Sequence, residues 1–566
     1  MNRINILDSS LADKIAAGEV VERPSSVIKE MVENSIDAHA TKVDIFVVDG
    51  GKTLIRVKDN GIGMSRDDAI LSIKRHATSK IHIDQDLFNI KTMGFRGEAL
   101  AAISSVSKFT MVTKEKEANV GTKLFCINSE VISVENATAT DGTDIMVEEL
   151  FYNTPARLKY LKSDNSELSY VTDIVNKLAL ANPNVSISLS SNNKVIFKTS
   201  GKGDIVEILS AIYGFAVAKN MVPFSLKNED FELSGYTSKI AISRSNKYAI
   251  NAFINGRYVR NKILSDCVIE GYHEFLFENR YPYTVLYIKT SASLLDVNVH
   301  PTKQEIRITK ENDLKGLIKN AISTALKENE EVIHKEVISQ TKFTQGFFNY
   351  NVDDIVKEDE TPYDFSSQIS FEKEKTIDKD FEIVGQIHGT YIVAQNNNGF
   401  ILVDQHAAKE RVNYENFQKL YSEPATIQDL LVPLVIELPL NEYHIVVDNI
   451  ELLKKLKIDA EPFGNNTIKI SKIPYYFNRI DLQVYVNEVI NQIITTKKID
   501  EQVILDYAIA TAACKASLKG NTFLTHEEME IIINDLFKCK DPYTCPHGRP
   551  TMIKYSSYEL SKFFKR

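Results

Sequence analysis

The sequence predicts an α/β protein built from several domains. Strand-type and helix-type patterns alternate from residue 1 to about 328, stop, and resume at Phe381. The stretch between them is acidic and lacks an apolar period, which is typical of a flexible linker. A chain of 566 residues is also too long for a single hydrophobic core. We therefore expect two α/β domains, a linker and an α+β C-terminal domain, bounded as 1–212, 213–330, 331–380 and 381–566, with a subdomain inserted at about 432–500.

Composition limits the class of protein. Apolar residues make up 43% of the chain and charged residues 25%, as in ordinary globular proteins. The formal net charge is −9, so any binding to nucleic acid would need local basic patches and would weaken in salt. Five scattered cysteines indicate reduced thiols rather than a disulfide framework. With no secretory signal and no long apolar run, we expect a cytoplasmic protein that does not contact membranes.

The most informative stretch is residues 404–415, which read DQHAAKERVNYE. It follows an apolar run at 399–403, so a helix should begin where a buried strand ends, with Asp404 as its N-cap. His406 and Glu410 are four residues apart and share one helix face. Two acids and an imidazole at such a corner suit a divalent metal ion. The alternative is a capped helix with a surface histidine.

Two later segments favour the metal interpretation. Cys514 lies in a predicted helix of small residues, and Cys545 and His547 are two apart on a proline-containing segment. On an extended segment, alternate side chains point the same way. Thiol, imidazole and carboxylate together form a mixed sulfur, nitrogen and oxygen ligand set, which suits a borderline-soft ion such as Zn²⁺. We therefore expect a metal site in the C-terminal domain.

A second group of motifs, near the N-terminus, suggests a nucleotide site. Glu30, Asn34 and Asp37 fall on one face of a predicted helix, and such a stripe can hold Mg²⁺ and direct a carboxylate at water. A solvated helix face is the alternative. Three glycine-containing segments follow in order: a strand that ends in an acid-bearing glycine turn at 59–63, a loop that opens a helix at 94–100, and the start of a further strand at 141–143. Backbone N–H groups of the 94–100 loop could bind phosphate.

In this order the motifs resemble an ATP site shared by gyrase-type topoisomerases, heat-shock-90 chaperones, histidine kinases and MutL mismatch repair proteins. Other segments narrow the resemblance to the MutL family: RPSSV at 23–27, RHATSK at 75–80, GFRGEAL at 94–100, LFYNTPAR at 150–157 and VNVHPTKQE at 297–305. The resemblance covers nearly the whole chain, and only the linker lacks motifs.

The resemblance implies how ATP would be bound. Asp59 would recognise the adenine amino group, with Thr143 beside that contact. Gly61 and Gly63 would let the backbone approach the nucleotide, and Asn34 would help to coordinate Mg²⁺.

The resemblance also implies how ATP would be hydrolysed. Glu30 would polarise the attacking water, and the Arg96–Gly97 loop would fold over the phosphates. Lys303, from the second domain, would reach the γ-phosphate, so ATP would lock two domains together. We expect a slow ATPase whose N-terminal half dimerises on ATP.

The C-terminal motifs resemble those of the MutL proteins that nick DNA. They are the 404–415 stretch, ACKxS at 513–517, CPHGRP at 545–550 and the last three residues, 564–566. The resemblance implies that Mn²⁺ supports cutting and that Zn²⁺ has a regulatory or structural role, and it leaves open which ligand binds which ion. The implied ligands are Asp404, His406, Glu410, Cys514, Cys545 and His547.

The resemblance further implies double-stranded DNA, the mismatch-recognition protein MutS, the replication sliding clamp and a second copy of the chain as partners. The segment QDLLVP resembles a clamp-docking peptide, for which Gln428, Leu431 and Pro433 are the candidate contacts. A strand entering a subdomain is the alternative interpretation of this segment.

Binding to DNA should be electrostatic and largely independent of base sequence, because no groove-reading motif is present. Arg257, Arg260 and Lys262 are candidates to line a DNA groove, with a solvated turn as the alternative.

Three functions therefore remain open: a mismatch repair ATPase and nicking endonuclease, a non-cutting ATP-dependent adaptor, and a topoisomerase or chaperone ATPase. The first agrees with all the motifs. The third is disfavoured because the C-terminal half has neither a strand-passage tyrosine context nor a chaperone-like acidic tail.

Overall fold

The structure is a computed structural model of the 566-residue chain. It describes the following residues: 18, 20–80, 93–94, 97–240, 242–244, 246–272, 280–291, 294–296, 307–338, 381–422, 427–464, 466–475, 482–495, 501–515, 523–546 and 548–563. Three of the predicted site residues, Arg96, Lys303 and His547, lie outside these ranges, as does the side chain of Cys514.

Two compact units make up the chain. The first contains residues 1–329 together with 427–474 and 490–501, and the second contains the remaining C-terminal segments. The α/β fold class predicted from the sequence is confirmed. The domain boundaries expected from the sequence remain predictions, and the structure adds that residues 427–474 pack within the first unit.

An eight-stranded sheet forms the N-terminal part of the first unit, in the order β5-β4-β3-β6-β2-β1-β7-β8. Buried and less buried residues alternate along β1, as expected for a strand with one face on the core. The strands are β1 Lys42–Val48, β2 Leu54–Asp59, β3 Lys108–Lys114, β4 Gly121–Ile127, β5 Glu130–Ala137, β6 Gly142–Glu148, β7 Ser186–Ser191 and β8 Lys194–Lys198.

Helices pack with this sheet around one apolar core. The first helix, α1, has proline in its first turn, where the missing N–H costs nothing, and buries Val27, Ile28, Met31 and Val32. The helices of this part are α1 Pro24–Asp37, α2 Arg66–Leu71, α3 Ala99–Ser105, α4 Pro155–Tyr160, α5 Asp164–Ala181, α6 Ile205–Tyr213 and α7 Phe215–Ala218.

A five-stranded sheet, ordered β13-β12-β15-β10-β9, follows in the same unit and has its own apolar core. Its strands and the short strands around it are β9 Met221–Lys227, β10 Phe231–Ser238, β11 Ser243–Arg244, β12 Ile250–Ile254, β13 Arg257–Val259, β14 Tyr281–Pro282, β15 Thr284–Thr290, β16 Leu295–Asp296 and β17 Arg307–Ile308. The helices are α8 Lys262–Tyr272 and α9 Glu311–Ile338.

Residues 427–474 form a small three-stranded sheet with two helices, hereafter the inserted subdomain. Its interior is apolar and includes Val446, Leu453, Ile458 and Ile468. The elements are β21 Ile427–Glu437, α11 Leu440–Asp448, α12 Ile450–Lys455, β22 Asp459–Gly464 and β23 Thr467–Pro474.

The second unit is built on a four-stranded sheet ordered β18-β19-β20-β24. Helices α10 and α15 pack on this sheet, and their apolar residues complete its core. The elements that follow the linker are β18 Glu382–Ile387, β19 Tyr391–Asn396, β20 Gly399–Asp404, α10 Gln405–Ser422, α13 Leu482–Thr495, α14 Glu501–Lys515, α15 His526–Lys538, β24 Met552–Ser556 and α16 Ser557–Phe563. None of the helices, over the residues described, is long and apolar enough to cross a membrane.

Candidate functional site

Asp59 ties together three segments of the predicted nucleotide site. Its Oδ1 accepts hydrogen bonds from the backbone N–H of Gly61 at 2.8 Å and of Thr143 at 3.2 Å. Its Oδ2 accepts from the hydroxyl of Ser35, on α1, at 2.8 Å. Burial raises the pKa of this carboxyl, although the three donors oppose that shift. A carboxylate has about four acceptor positions, so the chemistry leaves capacity for one more donor, such as an amino group.

Glycines surround this carboxylate because the backbone comes very close to itself here. A Cβ placed on Gly142 would lie 2.2 Å from the carbonyl oxygen of Asp59, and one on Gly63 would lie 2.1 Å from that of Lys114. Both glycines also have positive φ, 106° and 71°. A side chain at Gly142 would displace the end of β2 that carries Asp59, and one at Gly63 would displace the end of β3 at Lys114.

The predicted polar face of α1 holds a lysine ammonium. Lys80 donates to the amide oxygen of Asn34 at 3.0 Å and pairs with Asp37 Oδ2 at 2.6 Å. Asn34 Oδ1 is the atom predicted to coordinate Mg²⁺, and a cation already contacts it in this structure. A divalent ion bound here would contact the oxygen atoms that the Lys80 ammonium contacts in this structure.

The same carboxylate binds the start of the predicted phosphate loop. Asp37 accepts from the backbone N–H of Met93 at 2.9 Å and of Gly94 at 3.2 Å. The N–H of Gly94 belongs to the loop predicted to bind phosphate, so a donor of that loop is held by a carboxylate in this structure. Gly97, at the other end of this loop, has φ of 62°, and a Cβ there would lie 2.4 Å from Ala77 O.

Glu30 lies on α1 with its side chain about a quarter exposed and pairs with Lys29 at 3.0 Å. Lys29 also pairs with Glu33 at 2.9 Å. Burial alone would lower the pKa of Lys29, but the two carboxylates outweigh it and raise that pKa. The structure therefore places Glu30 on the surface of the same helix as Asn34, in reach of solvent.

The corner predicted for the C-terminal motif is present in the second unit. β20 ends at Asp404 and α10 begins at Gln405. Asp404 Oδ1 accepts from the backbone N–H of His406 at 2.9 Å and of Ala407 at 3.0 Å, which is N-cap geometry. His406 Nε2 lies 3.3 Å from Glu410 Oε1, one helical turn further on, and Glu410 is buried. The acid, imidazole and acid predicted from the sequence therefore share one helix start.

Two other segments that carry predicted ligands meet this helix. The backbone N–H of Asp404 donates to Thr551 O at 2.9 Å, and Arg411 Nε donates to Thr544 O at 2.5 Å. Cys545, which is buried, lies between these two anchors. On α14, the carbonyl of Ala513, next to Cys514, accepts from Asn413 at 3.4 Å. Helix α10 thus contacts both cysteine segments.

The described residues contain no three histidine, cysteine, aspartate or glutamate side chains grouped closely enough to hold a metal ion. His547 and the side chain of Cys514 lie outside that description. The predicted metal site therefore stays a prediction, supported by the convergence on α10.

Glu415, the last acid of the 404–415 stretch, has a structural role that sequence reasoning missed. It is buried and accepts the backbone N–H of Lys540 at 2.8 Å and of Asp541 at 3.2 Å. Arg411 lies 4.0 Å from it. These contacts attach the chain leading to Cys545 to α10. The spacing from Glu410 to Glu415, five residues, is the signal that could have placed it on a different helix face.

The predicted basic residues fall in two environments. Arg260 and Lys262 are exposed beside β13 and at the start of α8. Arg257 is partly buried, and burial lowers the pKa of its guanidinium, opposed by the carboxylates of Glu33 and Asp37. Arg257 therefore faces the acidic side of α1.

The predicted clamp peptide lies on β21. The pairing of β21 with β23 shifts register between Asp429 and Leu434. In this interval Leu431 is fully exposed, Val432 is 81% exposed and Pro433 is also exposed. Gln428 is partly buried. Apolar side chains on an irregular strand are thus presented to solvent.

Comparisons with known proteins agree with this arrangement. A histidine kinase-, DNA gyrase B- and HSP90-like ATPase model matches residues 22–150, a DNA mismatch repair C-terminal domain model matches 209–327, and a MutL C terminal dimerisation domain model matches 384–524. The DNA mismatch repair protein MutL of Staphylococcus saprophyticus is 39% identical to this chain, and that of a Geobacillus species is 40% identical. Each alignment covers 100% of both chains.

The chain belongs to the MutL family of DNA mismatch repair proteins. It carries the ATPase domain and the C-terminal dimerisation domain of that family. A crystal structure of the N-terminal domain of a DNA repair protein has the same fold over 57% of this chain and 99% of its own, with 24% identity and a TM-score of 0.50. As a member of the MutL family, the chain is a DNA mismatch repair ATPase.

A substitution at Glu415 tests how this MutL chain holds its Cys545 segment. We expect Glu415→Gln to place an amide NH₂ against a backbone N–H and to weaken the segment by about 1–3 kcal/mol. Amide exchange at Lys540 and Asp541 should accelerate by about fivefold or more, measured by hydrogen exchange and mass spectrometry on the full chain. Glu530→Gln, on the exposed face of α15, is the matched control. Unchanged exchange in Glu415→Gln would contradict the assigned role.

Proposed function

We propose that this MutL protein is a mismatch repair ATPase and a metal-dependent nicking endonuclease that cuts the strand to be repaired after mismatch recognition. The observation that carries the nuclease part is the meeting of the acid–imidazole–acid helix start with the Cys545 segment on α10. The ATPase part follows from family membership. The ATPase hydrolyses a phosphoanhydride bond and the nuclease a phosphodiester bond, and each reaction requires a positioned water and charge neutralisation.

At the ATP site, we assign Glu30 as the general base that polarises the attacking water. Asn34 would coordinate Mg²⁺ in place of Lys80, whose ammonium contacts the same oxygen. Asp59 would accept the adenine amino group with its remaining lone pair, and Thr143 would lie beside it. Gly61 and Gly63 would admit the nucleotide, Arg96 and Gly97 would cover the phosphates, and Lys303 would reach the γ-phosphate.

Substitutions at the proposed ATP site should separate nucleotide binding from nucleotide hydrolysis. Glu30→Ala should still bind ATP and dimerise through its N-terminal half, while turnover falls roughly 10²–10⁴-fold because the general base is lost. Asn34→Ala should lose nucleotide binding, because the Mg²⁺–phosphate unit loses a ligand. The measurements are steady-state phosphate release and nucleotide-dependent size-exclusion profiles.

Glu33→Ala is the control, because it also removes an ion pair with Lys29 but not the proposed base. It should keep turnover close to that of the unsubstituted protein. Normal turnover in Glu30→Ala would remove that residue as the base.

The donor atoms of the C-terminal site suit the metals of the proposal. Asp404, His406, Glu410 and Cys545 supply carboxylate, imidazole and thiol groups, with His547 and Cys514 as further donors. Such a mixed set favours Zn²⁺ where sulfur and nitrogen dominate and accepts Mn²⁺ where oxygen dominates. A bound metal would supply charge neutralisation at the scissile phosphate and a more acidic water. As the N-cap of α10, Asp404 has its carboxylate held in position by the backbone N–H of His406.

Nicking of supercoiled plasmid in Mn²⁺ tests the nuclease. Asp404→Asn keeps the cap but removes a negative ligand, so folding should survive while nicking falls to background. Glu410→Lys should also abolish nicking, because it adds a positive charge to the site. Cys545→Ser should lower zinc content, read by elemental analysis independently of activity.

Asp535→Asn on α15, a carboxylate outside the predicted set, is the control and should nick normally. Equal nicking by the unsubstituted protein and Asp404→Asn, at matched circular dichroism, would identify a contaminating nuclease. The proposal would then change to the non-cutting adaptor, in which the His406–Glu410 pair serves only stability.

The partners proposed for this activity are double-stranded DNA, the mismatch-recognition protein MutS, the sliding clamp and a second copy of the chain. The matched dimerisation domain supports the homodimer. The exposed Leu431 and Pro433 on β21, with Gln428, support clamp docking, since extended peptides bind grooves through such spaced side chains.

Arg260 and Lys262 are the better-placed DNA contacts, because they are exposed whereas Arg257 faces α1. Arg260→Glu should weaken binding to duplexes of any sequence and reduce the salt slope by about one or more. Fluorescence anisotropy across a salt series measures both quantities. Lys194→Glu, an exposed charge reversal on β8, is the control. An unchanged affinity and slope in Arg260→Glu would remove this residue from the DNA surface.

A further inference from the structure

The inserted subdomain packs against the N-terminal half of the chain through α11 and α5. Asp448, at the end of α11, accepts hydrogen bonds from Ser163, from Asn165 at 2.8 Å and from Ser166 at 3.0 Å. Near the other end of α11, the carbonyl of Asn441 accepts from Ser169 at 2.6 Å. The two helices therefore run alongside each other with polar contacts at both ends.

A buried ion pair joins the same helix to the second domain. Arg244 Nη2 lies 2.5 Å from Glu442 Oε2, and both side chains are less than a tenth exposed. The Arg244 guanidinium is 5.5 Å from the ring centre of Tyr283, and Tyr213 packs edge-on to that ring. Burial alone would lower the pKa of Arg244, but Glu442 outweighs it and raises that pKa. Asn491 also lies 3.4 Å from Arg244 Nη2.

The contacts span the junction between the ATPase part and the second domain. Helix α5 belongs to the ATPase part and Arg244 to the strands of the second domain. Between them, the turn from α6 to α7 contains Gly214 with φ of 85°, and a Cβ there would lie 3.0 Å from Glu437 Oε1 of the inserted subdomain. The inserted subdomain thus contacts both parts and the turn that connects them.

The chemistry of this contact is that of a separable interface. The contacts of Asp448, Asn441 and Glu442 described above are hydrogen bonds and one ion pair, and water can also satisfy such groups. On α11, the buried atoms Asn441 Oδ1 and His444 Nε2 have no hydrogen-bond partner within the described part of the chain. A permanent core seldom leaves such atoms unpaired, because each carries a desolvation penalty. Release of the subdomain would let these atoms reach solvent.

Helix α5 connects the docked subdomain to the nucleotide helix. Its residue Tyr170 lies under the guanidinium of Arg23, 4.2 Å from the ring centre, and Arg23 is the N-cap residue of α1. Glu30 and Asn34 follow on α1. A displacement of α5 would therefore move Tyr170 relative to Arg23, at the start of the helix that carries the proposed ATP-site residues.

We propose that the inserted subdomain is a releasable brace on the ATPase. Docked on α5 and Arg244, it holds the ATPase part and the second domain in one arrangement, and it slows the movement that brings the second domain onto the nucleotide. Release raises ATP turnover. The inference rests on the proposed role of the second domain in closing the ATP site. Strand β21, which carries the proposed clamp peptide, belongs to the same subdomain. Clamp binding there would therefore act on the ATPase through the brace.

A disulfide trap on the full-length protein tests docking and its effect together. Ser166→Cys with Asp448→Cys places two thiols where an oxygen pair lies at 3.0 Å. Oxidation should give a disulfide within one chain and lower the steady-state ATPase rate at least about twofold, and reductant should restore it. Each single cysteine variant, treated with the same oxidant, controls for the native cysteines.

A second set of variants releases the brace. Asp448→Lys replaces an acceptor of three hydrogen bonds by a donor on the exposed rim, so the fold should survive while the ATPase rate rises at least about twofold. Arg244→Glu and Glu442→Arg should act in the same direction, and the double exchange should return the rate toward normal. Glu451→Lys is the matched control, because its side chain is 71% exposed in the same subdomain and pairs only with Lys454 among the described residues.

The outcomes separate this inference from the ATPase assignment. A disulfide that forms within one chain without changing turnover would overturn the brace while leaving the ATPase intact. A covalent dimer, or no disulfide, would overturn docking within one chain. The ATP-site assignment fails by a different result, normal turnover in Glu30→Ala, which does not involve the trap.

Discussion

The arrangement of the N-terminal half depends on one buried carboxylate. Asp59 lies at the end of β2 and accepts hydrogen bonds from Ser35 on α1, from the turn at Gly61 and from Thr143 on β6. Its burial is unfavourable by itself and raises its pKa, so the three donors are needed to keep it in place. The same contacts fix the spacing of a helix, a loop and a strand. The side chain proposed to accept the adenine amino group is therefore also one that stabilises the fold.

The C-terminal half uses the same device for a different purpose. Asp404 caps α10 and Glu415 captures two backbone N–H groups of the chain before Cys545. Arg411, between them on the helix, holds Thr544. One helix thus presents the predicted ligands and also anchors the segment that brings the remaining ones. The proposed nuclease depends on this anchoring, because metal ligands from distant parts of a chain must be held within a few tenths of an ångström.

The brace proposed for the inserted subdomain connects it to the ATPase part and to the second domain within the first unit. Its central ion pair, Arg244–Glu442, is buried among aromatic rings, so one partner without the other would leave an uncompensated charge. Such a contact is selective: it forms fully or not at all. The polar rim around Asp448 makes it reversible in water. These two properties together suit a contact that forms and separates as a whole.

The sequence by itself determined the α/β class, the two groups of motifs and the capped start of α10, because these depend on local spacing and on residues that have few alternatives. Gly142 and Gly63 stand where no side chain fits, and Asp404 is followed at once by the helix it caps. Only the tertiary structure decided that Lys80 contacts Asn34, that Arg257 faces α1 and that Glu442 meets Arg244. Lys80 and Asn34 are 46 residues apart, Arg244 and Glu442 are 198 apart, and Arg257 is further still from α1, so no local pattern encodes these pairings. They arise when sheet topology and helix packing bring distant segments together, and their charges then select the partner.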